Sequence, residues 1–147
     1  MAKLLKTSAI LWGIWGAFHI FVGVFLLVLL GQGKTAEALH GIAGTVELTS
    51  LQMDYPLAAV ATLKQHAFNL GWFGLVTLVG SVFVWRKSVQ AIFLCALVGG
   101  LGDFGYFLFI DLPSLATPPG PQMTWISASA IILSVYVYFR SNRLEDL

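Results

Sequence analysis

Charge is what this sequence has least of. Lysine and arginine together number 8 and aspartate and glutamate 7, so charged side chains make up only 10% of the 147 residues, against about 25% in a soluble domain. The formal net charge is +1 and no basic run is present, which excludes a surface built to attract nucleic acid or acidic partners. Cysteine occurs once, at Cys95, so neither an internal disulfide nor a thiolate metal cluster is available, and no metal site is expected. Set inside an apolar run, Cys95 reads as a small buried packing residue.

Hydrocarbon takes the place of charge. Hydrophobic residues make up 58% and the mean hydropathy is +0.84. One soluble core of this size cannot hide so much apolar surface, whereas a bilayer accepts it. Four apolar stretches, at about 7–30, 67–85, 89–110 and 123–139, each approach the roughly 20 residues a helix needs to cross a hydrocarbon core. Lys3 and Lys6 ahead of the first stretch resemble the start of a secretion signal. The apolar run that follows is longer than the roughly 7–15 residues of a signal's hydrophobic segment, so a retained anchor is expected. The expected fold is an all-α integral membrane protein, one domain over 1–147, forming a left-handed four-helix transmembrane bundle in up-down order.

The basic residues set the orientation. Lys3 and Lys6 precede the first helix, Arg86 and Lys87 sit in the turn after the second, and Arg140 and Arg143 follow the fourth. The third connection, 111–122, has no basic residue, while Lys34 and Lys64 flank a first loop that also holds Glu37, Glu47 and Asp54. By the positive-inside rule the three basic segments face the cytoplasm. Both termini are therefore expected in the cytoplasm, and a plasma (inner) membrane is the expected location for so short a chain.

The two outward connections differ in kind. Pro113, Pro118, Pro119, Gly120 and Pro121 predict an irregular segment, because proline lacks the amide donor of a helix. The first connection, 31–56, is longer than a link requires. Within it Leu39, Ile42 and Val46 recur at helical spacing, with Glu37, His40 and Glu47 elsewhere around the wheel. This pattern predicts a short interfacial helix, at the outer surface or folded over the mouth of the bundle.

Ionisable groups in a spanning helix are costly, and each marks a candidate site. Here they are His19, Asp103 and His66, with Asn69 one turn beyond the last. Counted from the outer end of each stretch, His66 lies near the surface, Asn69 roughly 5 Å, Asp103 roughly 10 Å and His19 roughly 16 Å deep. Each polar residue shares a face with small ones: His19 with Trp12, Gly16 and Gly23, Asp103 with Gly99 and Gly100, and Thr124 with Ser127 and Ser134. Such stripes let helices approach and hydrogen-bond across a seam. Asp103 can equally serve to lock helix register. Trp12, Trp72, Trp85 and Trp125 are expected in the interfacial aromatic belt. The string Asp103-Phe104-Gly105 matches a kinase tripeptide, but no other kinase motif accompanies it and its setting is a membrane span.

These residues predict a small membrane protein that serves as a subunit of a membrane complex or binds an apolar ligand in an outward-opening polar pocket. Its ligand-binding residues would be His19, His66, Asn69 and Asp103, with Glu47 contributing from the lid. The alternative is an intramembrane acid/base enzyme, isomerase-like, acting on a lipid-like substrate through Asp103 and a histidine. A bis-histidine haem fits poorly, since His19 and His66 differ by roughly 15 Å in depth by the same rise. No continuous polar relay reaches the cytoplasmic half, which disfavours transport by a monomer. The sequence specifies no cofactor. Membrane lipids, a membrane-protein partner or further copies of the chain are the expected partners.

Overall fold

The computed structural model describes residues 1–141; Arg143, one of the basic residues that orient the chain, lies outside the described residues. The described residues form five α-helices and no strand. Helix α1 is Ala2–Gly31, α2 Thr35–Ile42, α3 Leu57–Trp85, α4 Val89–Tyr106 and α5 Gly120–Arg140. A 3₁₀ turn at Leu48–Leu51 follows α2, and α4 continues through a π-helical turn at Phe107–Asp111. Four of these elements, α1, α3, α5 and α4 with its π-helical extension, are long and apolar enough to cross a membrane. Their outer faces carry exposed Phe21, Phe25, Leu97, Leu101, Trp125 and Ile132, and large exposed apolar surface marks a membrane or protein contact.

Each long helix packs against two others, in the order α1, α3, α4, α5 and back to α1. The interior is lined at helical spacing by Ala91, Ile92, Cys95, Gly99 and Asp103 on α4 and by Ser127, Ala130, Ser134 and Val137 on α5. The seam between α1 and α3 is the closest. A Cβ on Gly74 would stand 2.5 Å from the Gly16 carbonyl oxygen, and one on Gly23 would stand 2.6 Å from the Gly71 amide nitrogen. Only glycine permits backbones to meet at that range. Across another seam the Ser8 hydroxyl donates to the Ala130 carbonyl at 2.7 Å. Trp12, expected in an aromatic belt, is fully buried and lies over Gly99; Trp72, Trp85 and Trp125 remain on the outer surface.

Two helix boundaries fall outside the apolar runs. Helix α3 begins at Leu57 rather than near residue 67, because Ala58, Ala59 and Ala61 are strong helix formers whatever their hydropathy. Helix α5 includes Gly120 and Pro121, since proline in a first turn lacks only an amide that would be unpaired anyway. The reversal between α3 and α4 takes three residues: Lys87 adopts φ 67°, and the Ser88 hydroxyl accepts the Ala91 amide at 3.3 Å, capping α4.

Helices α1 and α3 have 30 and 29 residues, α4 with its extension 23 and α5 21. Because the start of α1, the end of α5 and the α3–α4 turn share one end, the α1–α3 pair stands roughly 10 Å taller at the other. The step is filled by loops. Helix α2 docks through buried Ala38 onto Leu26, Leu30 and Ala67. It stops at Ile42, so Val46 is not on the helix as its spacing predicted; instead the His40 Nδ1–H donates to the Val46 carbonyl at 2.9 Å. The two connections are tied together where the Thr45 amide donates to the Leu115 carbonyl at 3.1 Å and the Thr45 hydroxyl to the Ser114 carbonyl at 3.0 Å.

Candidate functional site

The glycine seam fixes the register that builds the site. With Gly16 against Gly74 and Gly23 against Gly71, His19 on α1 falls level with Phe73 on α3; Phe73 in turn neighbours Gly102, next to Asp103. His19 and Asp103 therefore lie at one level. The depths expected for them differed because each was counted from its own helix end, and those ends are not coplanar.

Trp15 organises the pair. Its indole Nε1–H donates to Asp103 Oδ2 at 2.6 Å, a short bond of the kind a carboxylate makes. Its backbone carbonyl accepts from His19 Nδ1 at 2.9 Å, and its ring stacks on the imidazole with centroids 3.6 Å apart and planes at 20°. A carbonyl can only accept, so Nδ1 carries the hydrogen. The neutral ring then presents its Nε2 lone pair to Asp103, whose Oδ1 is 3.8 Å away. That distance is too long for a direct hydrogen bond. Ser127, which donates to the Thr124 carbonyl at 3.0 Å, flanks the same carboxyl. His19 and Asp103 are 9% and 4% exposed and form the one close acid–histidine pair among the described residues.

The pair lies at the floor of a cavity of about 550 Å³, within the range of roughly 300–1,000 Å³ typical of small-molecule sites. Val22, Leu63, Leu70, Phe109 and Ile110 supply apolar wall. Leu39 and Ile42 of α2, with Thr117, Pro118 and Pro119, form a roof. The outward-opening mouth expected from sequence is thus covered by the loops that fill the helix step. At the side, wall residues His66 on α3 and Phe109 on α4 are exposed. The π-helical end of α4, which carries Phe109, keeps to α5 rather than α3.

Of the residues singled out in the sequence, the structure brings His19, Asp103 and His66 to this cavity. His66 is not at the outer end of its helix, since α3 starts nine residues ahead of it; exposed at the side, it lines the wall roughly 10 Å above the floor by helix rise. Asn69 faces elsewhere and accepts the Trp72 indole hydrogen at 3.0 Å. Glu47 is exposed beside the 3₁₀ turn and does not line the cavity. Trp15 and Tyr106 were not among the candidates. The run Trp12, Trp15, His19 at helical spacing was the available signal for the first. Among the described residues no three His, Cys, Asp or Glu side chains converge as a metal site requires. Comparison with protein-family models, curated proteins and solved structures found no match to this chain.

Proposed function

We propose that this chain is a plasma (inner) membrane protein with cytoplasmic termini that binds an apolar ligand in the roofed cavity, either alone or as a subunit of a membrane complex. The observation that carries this reading is an apolar-walled cavity of about 550 Å³ whose buried polar groups gather at one end. Such sites pair a large apolar contact with a few polar groups that fix orientation. Lys3, Lys6, Arg86, Lys87 and Arg140 all fall at the end of the bundle that holds the termini, which supports the cytoplasmic assignment. His19 and Asp103 would hold the polar end of the ligand and His66 would stand near its entry. Membrane lipids would supply the ligand, and the exposed Phe and Leu faces would meet a membrane-protein partner or a second copy.

Native mass spectrometry of the full chain from mild detergent tests the reading. A Cβ at Gly105 meets open space beside the cavity, so Gly105→Phe fills it without a backbone clash. The wild type is expected to carry a copurifying apolar molecule that Gly105→Phe loses. Bare chain in both preparations would refute ligand binding.

A second reading, acid/base chemistry on a lipid-like substrate, is favoured by one feature: Nε2 and Oδ1 face each other across 3.8 Å with the histidine tautomer fixed. A proton acceptor and a carboxyl placed so can take a proton from one carbon and return it at another. Under this reading the copurifying molecule comes as two double-bond isomers, in a ratio that Asp103→Asn changes. A single isomer, the same in both proteins, would remove the enzyme reading and leave binding intact.

A further inference from the structure

Resting on the ligand-binding reading of this cavity, we infer that the ligand is an apolar alcohol whose hydroxyl sits at the floor between His19 and Asp103. Its hydrocarbon body then rises along Leu70 and Leu63 toward the roof.

The chemistry comes from a count of protons. Among the described residues no lysine or arginine lines the cavity, and no cation other than a protonated His19 lies within ion-pair distance of Asp103. A net charge buried without a counter-charge is expensive, so the pair is neutral as a unit. Neutrality means one shared proton, placed on the carboxyl or on Nε2. In the first arrangement the acid donates and the imidazole accepts; in the second the imidazolium donates and the carboxylate accepts. Either way the floor offers one donor and one acceptor, separated by 3.8 Å.

The set of groups that match is small. A hydroxyl donates one hydrogen and accepts another, so an oxygen seated roughly 2.8 Å from each partner satisfies both. An ether or ketone oxygen only accepts and leaves the floor's acceptor bare. An ammonium only donates and leaves the donor bare. A phosphate or carboxylate headgroup would bring a second anion against the pair, and the described lining holds no lysine or arginine to receive it. Trp15 strengthens the selection, because it occupies Oδ2 and Nδ1, and the Ser127 hydroxyl beside the carboxyl donates to the Thr124 carbonyl, so Oδ1 and Nε2 are the pair that face each other across the gap. Among membrane lipids this selects those that carry a hydroxyl on an apolar body over the common phospholipids.

The test uses the full chain in phospholipid nanodiscs with three matched probes: hexadecanol, its methyl ether and hexadecylamine. All three load the bilayer through the same chain, and binding is read as the rise in unfolding temperature against probe loading. Hexadecanol is expected to stabilise the wild type, with the ether and the amine roughly ten- to a hundred-fold weaker. Gly105→Phe is expected to abolish the response to hexadecanol. Equal responses to all three probes, each lost in Gly105→Phe, would overturn the hydroxyl assignment while sustaining the cavity as an apolar site. A preference for the amine would also overturn it, by showing that the floor takes nitrogen rather than a hydroxyl. No response to any probe would overturn both this inference and the ligand-binding reading.

Discussion

The two ends of this bundle are built from similar helices and reach opposite results. Toward the termini Leu5, Trp12, Val84, Ile92, Cys95 and Val137 are almost completely buried, while the glycine contact of α1 with α3 runs on past His19 to Gly23 and Gly71. Toward the loops the helices differ in length, and the space left over holds the cavity. His19 and Asp103 mark the level at which one regime gives way to the other. In this helical bundle unequal hairpins make the hollow, and loops cover the step.

The largest effect that would break this contrast is expected at Gly74. Its Cβ would meet the Gly16 carbonyl at 2.5 Å and the Ile20 amide at 2.7 Å, and neither is a flexible side chain. Gly74→Ala should cost about 3 kcal/mol, read as denaturant unfolding in micelles. Gly71→Ala is the control: nothing stands within 4 Å of its Cβ, and higher helix propensity should stabilise it by about 0.5–1 kcal/mol. Equal losses in the two variants would show that the seam is not where the glycines place it.

Next comes Trp15→Phe, which keeps the ring and removes the N–H that Asp103 accepts. Leaving that buried carboxyl oxygen unpaired should cost about 1–3 kcal/mol and lower the affinity for any copurifying ligand. An unchanged unfolding curve would mean that solvent reaches the floor. A smaller, local effect is expected in the roof, where a Cβ on Gly44 would collide with the Thr117 hydroxyl. Gly44→Ala should speed hydrogen exchange in α2 with little change in global stability, and Thr117→Ala should reverse it. Smallest of all are Asn69→Ala and Glu47→Gln. Both side chains lie off the cavity, so ligand retention in native mass spectra should match the wild type.

The same contrast explains what is legible in the sequence. Four apolar runs and three basic segments reveal the number of long helices and their alternation, because hydropathy acts locally along the chain. Small and polar stripes on α4 and α5 foretell which residues face inward. Relative height is not legible. It depends on how Gly16 meets Gly74 and on helices that outrun their apolar stretches, as α3 does at Leu57. That is why hydropathy alone puts His66 at a surface and Asp103 above His19, and groups Asn69 and Glu47 with a pocket they do not line. The spacing of Trp12, Trp15 and His19 puts Trp15 on the inward face, but an aromatic in an apolar helix does not name its polar partner. Its indole hydrogen finds a partner on α4, 88 residues along the chain, which local pattern cannot foresee.

In a bilayer, the difference in height between the two hairpins would bear on the lipid as well. At about 1.5 Å per residue, α1 would extend about 45 Å and α5 about 32 Å, against a hydrocarbon slab of roughly 30 Å. A molecule with one tall flank and one short flank satisfies such a slab by leaning, and the acyl chains beside α4 and α5 would be drawn thinner than those beside α1 and α3. Annular lipid would thus feel the asymmetry before any ligand did, and membrane thickness itself becomes a handle on the protein's tilt.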